Sequence, residues 1–185
     1  LLPREDDDVA NEVFESYKAL GIDFIFNAGI DHVEQDENKV TISYMVNGEK
    51  SQIYSDALLV ATGRKANIKD LNLANAGVEI SERGFINVNK HLQTNKPHIF
   101  AMGDVNGGPQ FTYVSLDDNR IVKSYLENNG SYSKDDRQPI AFSAFLLPTF
   151  SKVGLSEKDA LEKGYKIKVA TLPVTATVSY THLRA

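Results

Sequence analysis

The stretch Ile99-Phe100-Ala101-Met102-Gly103-Asp104 decides how this chain is read. Four residues with the character of a buried strand run into a glycine and then a carboxylate. In open α/β sheets, ligands lie outside the carboxyl ends of the strands. A carboxylate there can accept hydrogen bonds from the hydroxyls of a sugar or polyol. About forty residues earlier another apolar run, Ala57-Leu58-Leu59-Val60-Ala61, leads into Thr62-Gly63-Arg64. After Asp104 come Gly107-Gly108-Pro109 and Gln110-Phe111-Thr112-Tyr113, which open a helix expected over about Thr112 to Glu127. Val114, Leu116, Ile121, Val122 and Leu126 are its apolar positions. The exposed N–H groups of a first helical turn stabilise negative charge on a ring or phosphate. Taken alone, Asp104 also reads as the cap of a turn over Val105-Asn106-Gly107. Ala-Thr-Gly-Arg alone reads as a plain strand exit. Their order is what carries information.

Working outward, Asp6, Asp7 and Asp8 precede apolar residues at Val9, Val13, Phe14, Tyr17 and Leu20, a spacing that follows one helical face. The acids suit the positive end of that helix, and Gly21 stops it. Short strands are expected at Ile22–Phe26, Ile30–Val33, Lys39–Val46 and Gln52–Tyr54. Asn47-Gly48 closes a hairpin between the last two. Lys65–Leu73 reads as a loop, and Gly84–Val88 as a further short strand. The polar residues from Asn128 to Gln138 form the best linker. Beyond it, Ile140–Leu147 and Lys166–Leu172 read as strands. Between these two, Ser156 caps a helix that runs to Lys163.

Composition narrows the function classes. A net charge of −5 gives no electrostatic footprint for nucleic acid. No apolar run approaches the ~20 residues that span a bilayer, and the first residues lack the order of a signal peptide. A cytoplasmic protein with neither a membrane nor a nucleic-acid partner is expected. The absence of cysteine excludes disulfides and thiol catalysis within these residues. The histidines, His32, His91, His98 and His182, show no metal-ligand spacing.

In this order, Leu59-Val60-Ala61-Thr62-Gly63-Arg64, Gly84-Phe85-Ile86-Asn87-Val88, Thr94 with Pro97 and Ile99, and Ala101-Met102-Gly103-Asp104-Val105 resemble the pyridine nucleotide-disulfide oxidoreductases. These are FAD flavoproteins such as lipoamide dehydrogenase, glutathione reductase and mercuric reductase. The resemblance runs over positions 1 to 177. Pro148 with Ser151-Lys152-Val153-Gly154-Leu155-Ser156-Glu157 is similar to the opening of the family's dimerisation domain. Gln110 to Asp118 departs from the lipoamide dehydrogenase pattern and is closer to reactive-chlorine-resistance flavoproteins, which include hypothiocyanous acid reductases.

The resemblance implies an α/β chain in three parts. Positions 1–60 would end a doubly wound NAD(P)-binding domain. Positions 61–137 would supply the returning half of an FAD-binding domain and a linker, and 138–177 would begin an α+β dimerisation domain. It further implies that Asp104, with Gly103, holds the FAD ribitol. Gln110, Phe111, Thr112 and Tyr113 would start the helix under the isoalloxazine, and Gly63, followed by Arg64, would approach the nicotinamide nucleotide. No catalytic or metal-binding residue is assigned. The implied parent is a homodimer passing electrons from NAD(P)H through FAD to a disulfide or small oxidant.

Family hallmarks are missing from this sequence: two glycine fingerprints, a Cys-x4-Cys pair, and a His-Pro with a Glu. A fragment, inactive alone and cut at both ends, is therefore expected. One back-translation of Val178-Ser179-Tyr180-Thr181-His182-Leu183-Arg184-Ala185 resembles a transposon-based sequencing adapter read in frame, so 178–185 is expected to be a non-native tail. Two other readings stay open: a non-catalytic nucleotide-binding or interaction module, and a flavin NADH oxidase or dehydrogenase that works without a dithiol.

Overall fold

Asn47 and Gly48 both adopt positive φ, 52° and 86°. That pairing is what a two-residue hairpin turn of the primed type requires, and Asn-Gly supplies it at little steric cost. The turn joins β2 (Val40–Val46) to β3 (Glu49–Ser55), with Val46 opposite Glu49 and Ile42 opposite Ile53. β1 (Gly29–Gln35) pairs antiparallel on the other side of β2, with a register irregularity between Ile30 and His32. Val40 is buried and most of β2 half-buried, whereas β1 is exposed along its whole length.

The computed structural model describes residues 1–137, 139–173 and 176. By packing, the chain divides into Leu1–Phe26 with Pro139–Ala185, and Asn27–Gln138. Among the described residues no helix is long and apolar enough to cross a membrane. The 178–185 segment lies outside the described residues. The chain mixes helices and strands, in keeping with the α/β class.

In the Asn27–Gln138 unit, the core is Val78, Ile86 and Ala101, with Ile68, Leu73, Val88, Ile99 and Val105 packed against it. Narrow ribbons hold these residues. Ile80 bridges Ile86, and Gln93 bridges Phe100. The Ile86 N–H donates to the Val105 carbonyl at 2.9 Å, and the Ala101 N–H to Leu92 at 3.0 Å. Gly84–Val88 and Ile99–Met102 therefore form single bridges in place of the strands expected from their apolar character. The expected loop over 65–73 contains a 3-10 turn at Lys69–Leu71 and runs into the short helix α2 (Leu73–Ala76). α3 spans Thr112–Glu127 as expected, but its buried positions are Val114, Asp118, Ile121 and Ser124. Leu116 and Leu126 face outward.

The largest departure is Ala57–Ala61. This run reads as a buried strand, yet it forms no ladder and Leu59 is 88% exposed. A strand apolar on both faces is buried by its neighbours; among the described residues no strand lies beside this one.

In the other unit, α1 (Asp7–Ala19) presents Phe14 to Phe24 and Phe26, with ring centroids 5.2 and 5.7 Å away. Ile22–Phe26, expected as a strand, forms this aromatic cluster and no ladder. β4 (Ala141–Ala144) pairs antiparallel with β5 (Phe150–Val153). Lys166–Leu172 forms no strand, since neither β4 nor β5 extends a ladder to it.

Asp6 was expected to serve α1, the helix it precedes. Its carboxylate instead accepts from the backbone N–H groups of Glu157 (3.0 Å) and Lys158 (3.1 Å), at the start of α4 (Glu157–Glu162). Glu5 pairs with Lys152 at 3.0 Å, both side chains largely buried.

The α4 start also carries a capping box. Ser156 accepts from the Asp159 N–H at 3.0 Å, and the Asp159 carboxylate accepts from the Ser156 N–H at 3.3 Å. The Ser156 contacts hold the Asp159 carboxyl below its ordinary pKa, and Ser133 does the same for Asp136 in the linker. A depressed carboxyl stabilises the fold above its unfolded pKa, and that contribution fades as pH falls through the lower folded value. Ser156→Ala is expected to cost α4 about 1 kcal/mol. Amide exchange in α4 should then be faster at neutral pH, with a shallower loss of protection on acidification than in the unmodified protein.

Candidate functional site

Asp104 sits in a 3-10 turn, Gly103–Asn106, directly after buried Ala101. Gly103 and Gly107 flank the turn, each at φ 74°. A Cβ at Gly103 would lie 2.9 Å from Ser115 Oγ, and one at Gly107 would lie 2.9 Å from Phe85 Cγ. Both conformation and packing thus demand glycine there. The Asp104 carboxylate leaves the turn half-exposed. Its one contact among the described residues is Arg64 Nη1, at 3.5 Å. A pair so open to water contributes little stability, so the carboxylate keeps most of its acceptor capacity for a ligand.

Beneath the turn lies Asp118, only 1% exposed. Its Oδ2 accepts from the Gly103 N–H at 2.8 Å and from Asn106 Nδ2 at 3.1 Å. Its Oδ1 accepts from Arg137 Nη2. Arg137 Nε donates to Asp117 Oδ2 at 2.7 Å, and the Tyr132 hydroxyl donates to Asp117 Oδ1 at 3.0 Å. Burial works against the charge on Arg137, but the hydrogen bonds to Asp118 and Asp117 outweigh it and raise the guanidinium pKa. Burial, reinforced by the bond to Asp117, pushes the Tyr132 phenol up. The 131–137 segment, legible in sequence only as a linker, is thereby fastened to α3.

α3 packs against the Gly103–Asn106 turn. Phe111 occupies its N-cap position and makes no side-chain cap hydrogen bond. The Phe111 and Tyr113 rings stack with centroids 5.4 Å apart. Partial burial raises the Tyr113 phenol above its ordinary value. Gln110 is half-buried and Thr112 exposed. A cleft of about 210 Å³ opens beside the turn, lined by Asn106, Gly107, Gly108, Pro109, Lys134 and Arg137 among others.

Of the candidates drawn from sequence, Arg64 and Asp104 are brought together, forty positions apart. Gly103 and Asp104 share the turn, and Gln110, Phe111, Thr112 and Tyr113 form the α3 start as expected. Gly63, at φ 116°, stands in open space. The sequence reading gave no role to Asp118, Asn106, Asp117 or Arg137. A signal for Asp118 was present: it lies four residues after Val114 and three before Ile121, on the stripe that α3 buries. Among the described residues no cluster of His, Cys, Asp or Glu side chains forms a metal-ligand group.

A half-exposed acid on a glycine-bounded turn beside the start of α3 is the arrangement of an α/β chain. The chain belongs to the pyridine nucleotide-disulphide oxidoreductases, whose family model matches residues 1–118. It is 45% identical over 176 residues to the "Probable pyridine nucleotide-disulfide oxidoreductase RclA" of Escherichia coli, covering 95% of this chain and 39% of that protein. It is 37% identical over 179 residues to the mercuric reductase of Staphylococcus aureus, covering 95% of this chain and 32% of that protein. The solved structure of the HOCl-induced flavoprotein disulfide reductase RclA from E. coli superimposes with a TM-score of 0.86 at 42% identity, over 98% of this chain and 41% of that one. The chain thus spans roughly a third to two-fifths of these relatives' lengths. The resemblance to reactive-chlorine-resistance flavoproteins agrees with the similarity to RclA.

Proposed function

We propose that this chain is the middle-to-late portion of an FAD-dependent NAD(P)H oxidoreductase that reduces a disulfide or a small oxidant. The observation that carries this reading is the Asp104 carboxylate, half-exposed, paired only weakly with Arg64, and mounted on a turn compressed by two glycines. The donor and acceptor chemistry fits the cofactor. Asp104 would accept from the ribitol hydroxyls, and the start of α3 at Gln110–Tyr113 would meet the electron-accepting ring. Gly63 and Arg64 would lie on the nicotinamide nucleotide side.

Bound flavin supplies the redox step itself. The residues here bind, orient and bias it. The 185 residues contain no cysteine, so a redox disulfide would be contributed by residues outside this stretch, and the stretch alone is expected to catalyse nothing. The proposed division is an NAD(P)-binding end at 1–60, an FAD-binding portion and linker at 61–137, and the start of a dimerisation domain at 138–177. A cytoplasmic homodimer is the assembly this reading entails. The test is to purify the full-length gene product and titrate it anaerobically with NADH and with NADPH. A flavin absorption band bleached by one of them, with FAD released on denaturation, is the expected result. A full-length product that binds no flavin when supplied with FAD overturns the reading.

A further inference from the structure

A carboxylate on a short exposed turn recognises a ligand well only if the turn is held in place. Here both ends of the turn are tied to one atom. Asp118 Oδ2 takes the N–H of Gly103, the residue just before Asp104, at 2.8 Å. It also takes Asn106 Nδ2, at the far end of the turn, at 3.1 Å. The other oxygen, Oδ1, meets Arg137. The two oxygens therefore have separate duties, one toward the turn and one toward the neutralising cation. Asp118 reaches no ligand itself, being almost fully buried on the inner face of α3.

We infer that Asp118 is a positioning residue for the flavin site: neutralised by Arg137, it locks the Gly103–Asn106 turn and so aims the Asp104 carboxylate. The inference rests on the ribitol role proposed for Asp104 and extends it to a residue with no ligand contact. A neutral amide is a sharp probe. Asparagine has a single side-chain acceptor, so it can serve the turn or Arg137 but not both, and its NH2 group then faces another donor.

The test uses the full-length, flavin-loaded protein. FAD affinity is measured by titrating the apoprotein with FAD for Asp118→Asn, Asp104→Asn and the double variant, and visible circular dichroism is recorded at saturating FAD. Asp118→Asn is expected to weaken FAD binding about tenfold, the size of one charge-assisted hydrogen bond lost. In the Asp104→Asn background the same change should add less than about twofold. The dichroism of bound flavin should change in Asp118→Asn even at saturation. Equal fold-losses in both backgrounds, or a lower Tm with unchanged affinity and dichroism, would show a purely structural role and overturn the inference. If Asp104→Asn leaves affinity intact, the ribitol reading falls, and this one with it. If Asp104→Asn weakens binding but Asp118→Asn does not, only the positioning role falls. Should Asp118→Asn fail to fold, Arg137→Lys keeps the cation but lacks the planar fork that bridges Asp117 and Asp118. It should shift affinity and dichroism in the same direction by a smaller factor, and a folded Arg137→Lys with both unchanged counts against the proposal.

Discussion

Asp104→Ala in the full-length protein is expected to weaken FAD binding by about ten- to a hundredfold, leaving much of the purified variant colourless. The magnitude follows from removing hydrogen bonds between a charged acceptor and hydroxyl donors, worth roughly 1.5–3 kcal/mol each. The fold itself should suffer little. The Asp104 side chain is half-exposed, and its contact with Arg64 at 3.5 Å is exposed on both sides. Flavin content after gel filtration and the thermal unfolding of the apoprotein together check both halves of this expectation. Equal flavin retention in variant and parent would remove Asp104 from the site.

The largest expected effect on stability belongs to Arg137→Met. The guanidinium is 13% exposed and spans Asp117 and Asp118. Its removal strands the nearly inaccessible Asp118 carboxylate without a counter-charge. Breaking a buried pair from one side typically costs 3–5 kcal/mol, because the orphaned charge stays behind. Denaturant unfolding of the apoprotein should register a loss of about that size. Replacing Arg137, Asp117 and Asp118 together with apolar residues should restore much of the stability without restoring the hold on the turn. A loss below about 1 kcal/mol for Arg137→Met would show that the network is solvated in solution.

These two residues also mark how far the sequence could be read. Asp104 stood out because its neighbours are ordered: an apolar run, a glycine, an acid, then Gly107-Gly108-Pro109 and a helix start. Local chemistry set each of those, and the structure keeps them adjacent. α1, α3 and α4 were legible for the same reason, from apolar periodicity and from caps such as Ser156. The β2–β3 hairpin followed from Asn47-Gly48 alone. Asp118 and Arg137 went unread because their significance lies in a contact nineteen positions apart, which no local pattern encodes. A carboxylate on a helix defaults to the wet face, and only the burial of Val114 and Ile121 on either side marks it otherwise. Ala57–Ala61 failed in the opposite sense. Its apolar character describes what the segment needs from its surroundings, and burial depends on whether a neighbour is present to provide it. The same reasoning covers Lys166–Leu172, which has strand composition but no ladder.

The placement of Asp6 has a consequence for biosynthesis. Its carboxylate holds backbone donors at Glu157 and Lys158, some 150 positions further along, while Asn27–Gln138 forms a unit that is unbroken in sequence. On the ribosome the unbroken unit emerges whole and can collapse first. α1 must wait for more than a hundred further residues before the segment that Asp6 grips has been translated. At ordinary synthesis rates of ~5–20 residues per second that interval lasts roughly 7 to 28 seconds, during which Phe14 can already cluster with Phe24 and Phe26, its neighbours in sequence.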